Sequence, residues 1–379
     1  MLNVDLFAKI TTSGIAIDGM KMKITKILLL LFVSFSSHAK EWQAELIVSG
    51  LNVPWGMAVI DEQRLLVTER NGDVGILNHE SRNYQRILTY PNVIAKGQGG
   101  LLDVARSPFE PSTFYFTYSR DTRTGIETIL AKAVLAEDKL TKLTDLFTSH
   151  SGSRTGRHFG SRITFDDQYI FFSIGDRGER ANGQNLQTHA GSILRLNPDG
   201  SIPQSNPFYD QGKIASAIWS YGHRNPQGLF HDEYSNQLWS IEHGPRGGDE
   251  INLIAKGENY GWPVTSHGKE YWGPIAVGEA KEMAGITSPL KTYVPSIAPS
   301  SMILYRGERY LPLRDKFIIG SLKLAHLNIV SLSDNKIVDE QRILQHLGER
   351  IRSLVLTPND KIIFATDRGN IYHLVLVAE

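Results

Sequence analysis

Along most of this chain apolar and polar residues alternate in short runs, broken by Gly, Asp, Asn and Pro. A period of two predicts β-strands joined by tight turns, and no sustained helical period appears after residue 39. The runs also repeat. GMAVIDEQRLLVTERNGDVGIL, starting at Gly56, aligns without a gap on SLVLTPNDKIIFATDRGNIYHL, starting at Ser353. Gly72 falls on Gly369, Leu65 on Ile362, Val67 on Phe364 and Val74 on Ile371. Weaker strand–turn–strand copies begin at Ile163 and Leu229. Small repeated sheets predict an all-β propeller, in which each blade covers its neighbour's apolar face. Matched first and last copies suit ring closure; a sandwich or two barrels is the competing arrangement. The Gly-, Pro- and Ser-rich segment from Ser266 to Pro299 predicts a long insertion between strands, the kind of loop that often carries function.

The N-terminus follows a different pattern. Lys21, Lys23 and Lys26 precede the apolar run 27–33, and a small-residue stretch ends at Ser37-His38-Ala39. That order predicts a secretory signal peptide over residues 1–39, with the true start at Met20 or Met22 and a periplasmic mature protein. The apolar run is shorter than the roughly 20 residues of a membrane span, so no stable insertion is expected after cleavage. Lys+Arg and Asp+Glu number 40 each; removing residues 1–39 takes away four Lys and two Asp and leaves a formal charge near −2. A chain so balanced has no compositional case for nucleic acid. Cysteine is absent, which excludes disulfides and thiolate metal ligands and leaves burial and hard cations to stabilise an exported protein.

Five clusters are too polar or too glycine-rich for strand interiors. Gly97-Gln98-Gly99-Gly100 is either a plain turn or a place where backbone approaches a ligand closely. His158, in Arg157-His158-Phe159-Gly160-Ser161-Arg162, suits a base, a ligand or a surface group, and Asp176 could orient its ring. Arg224 and Asn225, in Tyr221-Gly222-His223-Arg224-Asn225-Pro226-Gln227-Gly228, suit a planar ligand bearing carboxylates. The stretch from Glu242 to Asn252, followed by Asn259-Tyr260-Gly261-Trp262-Pro263, offers carboxylates and kinked carbonyls of the kind calcium takes, or else a long solvated turn without EF-hand spacing. Lys323 and the pair Arg350 and Arg352, which flank Ile351 on one strand face, form either an anion clamp or a solvated face.

Taken together, GQGGLLDV, HFGSR, IWSYGHRNPQGL, EHGPRGGDEIN, NYGWP and GERIR resemble the soluble quinoprotein glucose dehydrogenases, and among them the bacterial PQQ-dependent aldose sugar dehydrogenases. The resemblance spans essentially all of residues 40–379 and implies a single six-bladed β-propeller catalytic domain with PQQ over its axis. It implies that His158 is the general base, with Asp176 and Arg224 assisting catalysis. Gln98, Arg224, Asn225, Tyr271, Lys323, Arg350 and Arg352 would hold PQQ. Carbonyls of Gly244 and Pro245 would bind a calcium at the quinone, and Glu250 with the Tyr260 carbonyl a further calcium. The implied reaction is oxidation of an aldose at its anomeric carbon to a lactone, passing electrons to an acceptor the sequence does not identify, in a monomer or homodimer. Two residues depart from the pattern: His223, where an apolar residue is expected, and Arg157, a cation beside the candidate base that would lower its pKa. The rival readings are a calcium-dependent propeller lactonase or other hydrolase and a non-enzymatic propeller that binds sugars or proteins.

Overall fold

The computed structural model describes residues 41–377, which carry 24 strands in six four-stranded antiparallel sheets. The signal segment and its two candidate start residues lie outside the described residues. The innermost strands of blades 1 to 6 are Pro54–Val59, Leu101–Arg106, Ile163–Phe165, Pro226–Asp232, Pro299–Tyr305 and Ile351–Leu356, and each packs against the next around a closed ring. Blade 6 takes its outermost strand from the opposite end of the chain. Glu41–Val48 pairs antiparallel with Ile371–Val377, Trp42 facing Leu376 and Ala44 facing Leu374. The ring is thus sealed by backbone hydrogen bonds between the two ends of the described chain.

The alternation read from the sequence buries itself between blades. Six apolar clusters occupy the six blade boundaries. Leu66 and Val74 of blade 1 pack on Phe116 and Ile129 of blade 2, and Ile318 and Ile329 of blade 5 on Phe364 and Leu374 of blade 6. Each fully buried Leu, Ile or Phe contributes roughly 1.5–3 kcal/mol relative to exposure, so the faces a single blade would leave wet hold the ring together. The aligned segments from Gly56 and Ser353 are the first three strands of blades 1 and 6, and the copies from Ile163 and Leu229 open blades 3 and 4.

Strand direction decides where the chemistry goes. The connection into each innermost strand and the hairpin between second and third strands emerge on the same face of the ring. Gln98, His158, Arg224 with Asn225, and Arg350 lie on connections of the first kind. Asp176, Gly244, Lys323 and Asp367 lie on hairpins of the second kind. Five innermost strands carry a register shift at this end, for instance between Pro54 and Gly56 and between Pro226 and Gly228. Such bulges re-aim side chains and are common beside active sites. The long insertion is the connection between the third and fourth strands of blade 4, and the expected span also contains that blade's outermost strand, Lys291–Tyr293. A connection of this kind should stay on the opposite face; here it climbs back, because Trp262 and Tyr271 reach Asp176 and Arg224.

Candidate active site

A cavity of about 280 Å³ opens on this face, lined by Gln98, Asn225, Arg350 and Arg352 together with Trp55 and His243. Two buried motif residues with no expected role, Asp103 and Arg162, hold lining residues of this cavity in place. Arg162 donates through Nη1 to Asp103 Oδ1 at 2.6 Å, through Nε to the Gln227 carbonyl at 3.0 Å and through Nη2 to the Ser300 carbonyl at 3.2 Å. Its guanidinium also lies 4.4 Å from the centre of the Trp55 ring. One buried ion pair therefore ties five blades together, and its hydrogen bonds offset the cost of taking both charges out of water.

His158 stands at the rim with a left-handed backbone (φ 49°), its N–H donating to Gln98 Oε1 at 2.8 Å. Its Nδ1 meets Asp176 Oδ1 at 2.6 Å. The approach is close: a Cβ on Gly175 would lie 2.3 Å from the His158 carbonyl oxygen, so the hairpin needs glycine there. Burial is the largest influence on His158 and lowers its pKa; the Arg224 and Arg177 charges add to that, while Asp176 opposes them. Asp176 is held below the usual carboxylate range: burial raises it, but hydrogen bonding and attraction to His158, the Gly178 N–H and the Arg224 charge outweigh that. The pairing leaves Nε2 as the free nitrogen of a neutral ring. The cation expected beside the base is a different residue. Arg157 is exposed, whereas Arg177 is fully buried and donates to the carbonyls of Arg157, Ile126 and Thr155. A chain-neighbour argument could not have found it, because residue 177 reaches the loop from a hairpin of the same blade.

Arg224 donates from Nη1 to the carbonyls of Gly244 (2.7 Å) and His243 (3.1 Å), and Nη2 stands 3.5 Å from the Tyr271 hydroxyl. Its own N–H donates to Glu242 Oε2 at 2.7 Å. Arg350, just before the strand Ile351–Leu356 rather than on it, and Arg352 on that strand both meet Asp367, unremarked in the sequence. Arg350 Nε and Arg352 Nη2 donate to Oδ2 at 2.8 and 3.0 Å, and Arg352 Nε to Oδ1 at 2.8 Å. Burial would raise Asp367, but the two guanidiniums outweigh it and hold the carboxyl low. Lys323 is exposed beside Leu322, a cavity residue, and forms no salt bridge among the described residues. His243, half-buried at the cavity wall, is pushed down to about 3 by burial and then by Arg224, so a neutral imidazole faces the cavity and donates to the Pro299 carbonyl at 2.7 Å.

The cavity suits an anionic planar ligand. Arg350 Nη2, Asn225 Nδ2 and Gln98 Nε2 have no hydrogen-bond partner among the described residues, and each belongs to a residue lining the space. Candidate cation ligands form a separate group. Glu242 and Glu250 are directly opposed across two strands of blade 4, a like-charge pairing that destabilises a sheet unless something sits between. Burial and then the Glu242 charge push Glu250 well above the usual carboxylate range. Asn252 Nδ2 bridges the two at 3.1 and 3.2 Å, leaving its buried Oδ1 without a partner. The Tyr260 carbonyl likewise accepts no hydrogen bond among the described residues. The Gly244 carbonyl already accepts Arg224, and the Pro245 carbonyl accepts Ser296 Oγ at 3.2 Å. His223 belongs to this region: it is wholly buried, bonded to Glu242 (3.0 Å) and Ser220 (2.9 Å), and stacked on Tyr260. The unexpected histidine therefore orients a carboxylate and stays clear of the cavity lining.

Comparison with known proteins bears on the family and the fold. Aldose sugar dehydrogenase YliI of Escherichia coli is 36% identical over 339 residues, covering 86% of this chain and 90% of that protein. Quinoprotein glucose dehydrogenase B of Acinetobacter calcoaceticus is 27% identical over 422 aligned positions, covering 88% and 87%. The crystal structure of the soluble aldose sugar dehydrogenase of Escherichia coli in its apo-form superposes with a TM-score of 0.84 at 33% identity, over 89% of this chain and all of that one. Residues 51–373 match the family described as Glucose / Sorbosone dehydrogenase, and with the propeller and the motif clusters now on one face, the chain belongs to that family.

Proposed function

We propose that this protein is a PQQ-dependent sugar dehydrogenase that oxidises aldoses at the anomeric carbon to lactones, with calcium as a second cofactor. The observation that carries the reading is the juxtaposition of a carboxylate-oriented imidazole with a cavity ringed by guanidinium and amide donors. Bound PQQ would supply the two-electron oxidant, taking a hydride from the anomeric carbon. His158 Nε2 accepts the proton of the anomeric hydroxyl, so the sugar loses two hydrogens and becomes a lactone. Asp176 holds the ring in the tautomer whose Nε2 is free and stabilises the imidazolium that forms. Arg350, Arg352, Asn225 and Gln98 bind the cofactor's carboxylates and carbonyls; Lys323 and Tyr271 approach from the rim. Arg224, beside the Gly244 carbonyl, would lend its charge to stabilise the reduced cofactor. Gly244 and Pro245 would offer carbonyls to a calcium beside the cofactor, and Glu250, Asn252 and the Tyr260 carbonyl to a structural one. Among the described residues no three His, Cys, Asp or Glu side chains converge on a metal-holding point, so backbone and amide oxygens would have to supply most ligands, with the Glu250 carboxylate joining them at the structural site.

Among the described residues no helix is long and apolar enough to cross a membrane. Residues 1–39 act as an export signal in this reading, and N-terminal sequencing of periplasmic protein should give a start near Lys40. The function itself is tested by reconstitution. Purified protein with PQQ and calcium should show reduction of the bound cofactor by absorbance when an aldose is added. Tight PQQ binding without reduction by any aldose would contradict sugar oxidation, and hydrolysis of a lactone without PQQ would favour the hydrolase.

A further inference from the structure

Trp262 comes from the long connection of blade 4, yet its indole N–H reaches a carboxylate of blade 3. Its indole Nε1 donates to Asp176 Oδ2 at 2.8 Å, while Oδ1 of the same carboxylate meets His158 Nδ1 at 2.6 Å and accepts the Gly178 N–H at 2.7 Å. The face of the same ring lies 5.2 Å from the Arg224 guanidinium and 5.8 Å from that of Arg180. Arg180 in turn forks onto Glu270, the neighbour of Tyr271, at 2.7 and 2.8 Å. The indole is 6% exposed. Its backbone is pinned as well: its N–H donates to the Gly222 carbonyl at 2.8 Å and its carbonyl accepts Gln184 Nε2 at 2.8 Å. A Cβ on Gly183 would lie 2.3 Å from that carbonyl oxygen, so the blade 3 hairpin makes room for this contact.

We infer that Trp262 is a positioning residue for the proton-transfer step: its N–H fixes the Asp176 carboxylate so that Oδ1 faces His158, and its ring backs Arg224 on the other side. The inference rests on the reading of His158 as the base. The torsion about a carboxylate is soft and roughly two-fold, so an aspartate held only by its histidine could rotate and let the imidazole swing. A second donor on the opposite oxygen removes that freedom. The charged and titratable groups facing His158 are Asp176, Arg177, Arg224 and His243; of these, Trp262 touches Asp176 through its N–H and Arg224 through its ring.

Trp262→Phe deletes the N–H and keeps an aromatic face for Arg224. In protein loaded with PQQ and calcium, PQQ affinity should stay within about twofold, while the rate of cofactor reduction at saturating aldose falls roughly tenfold, the scale of one charge-assisted hydrogen bond. The acid limb of that rate should move to higher pH, because a carboxylate relieved of one donor holds the imidazolium proton more strongly. In an Asp176→Asn background the same substitution should add little, since its effect passes through Asp176. A second readout needs no activity and leaves Trp262 in place: in cofactor-free protein, Asp176→Asn should shift one indole N–H resonance among the six tryptophans. A Trp262→Phe enzyme with wild-type rate and acid limb, losses that multiply in the double variant, or an unmoved indole resonance would each overturn the inference while leaving the base reading intact. A fast His158→Ala enzyme overturns the base reading, and the inference with it.

Discussion

At the scale of single residues, what matters is which charges share a partner. Arg350 and Arg352 both lean on Asp367, but the Arg350 side chain is 55% exposed and that of Arg352 only 13%. Arg350→Ala should therefore remove a cofactor contact with little damage to the fold, weakening PQQ binding by about 1.5–3 kcal/mol, measured by PQQ titration; unchanged affinity would assign Arg350 to a solvated face. Asp367 lies below its unfolded value, so the stability it contributes is present at neutral pH and is lost as pH falls through its folded pKa. Asp367→Asn should lower the melting temperature at pH 7, and the gap from wild type should narrow below about pH 4. A gap independent of pH would mean that Asp367 acts by packing alone. The pairing of Arg350 with Arg352 was suggested by their spacing, but Arg350 sits one residue before the strand and a bulge follows Ile351, so it is the shared carboxylate of Asp367 that draws the two together. Asp367 itself was not legible, since it comes from the hairpin beyond the next strand. Arg177 and Trp262 were hidden for the same reason: each acts through a partner remote along the chain.

At the scale of elements, legibility followed spacing. Blades 1 and 6 share their turn lengths, so their sequences align without a gap. Blade 5 breaks the pattern with a 3₁₀ turn at Leu311–Leu313 between its first two strands, and blade 2 stretches its strands to Thr113–Asp121 and Ile126–Ala136. Neither copy was visible for that reason. The sealing strand Glu41–Val48 was also unseen, because pairing between chain ends leaves no local signature. It covers an edge that would otherwise offer unpaired backbone groups to other chains, and Trp42 packs 5.8 Å from Tyr310. Deleting residues 41–48 should lower the melting temperature by at least several degrees and promote aggregation, checked by thermal melts with light scattering. A truncated protein as stable and monodisperse as the full one would show that closure does not depend on this strand.

For the whole molecule, calcium and mechanism are the two open tests. A cation held by Glu250, Asn252 and the Tyr260 carbonyl would bind the native ring and not the unfolded chain, stabilising it by about 2.7 kcal/mol at a hundredfold excess over Kd. Exhaustive chelation should thus lower the melting temperature and added calcium restore it, with Glu250→Ala abolishing the response. An identical melt with and without chelator would argue against the structural site. The fold was readable because its motifs are contiguous; strand direction brings Gln98, His158, Asp176, Arg224, Asn225, Lys323 and Arg350 to one face, whereas Tyr271 arrives on the long connection of blade 4. The central claim is that a carboxylate-held imidazole takes the sugar's proton beside a bound quinone, and stopped-flow reduction of PQQ-loaded protein by an aldose measures that step directly. His158→Ala should bind PQQ and calcium nearly as well as wild type yet reduce its cofactor at least about 100-fold more slowly, the lower figure for general-base catalysis. A His158→Ala protein that reduces its PQQ within a few-fold of wild type would contradict the account.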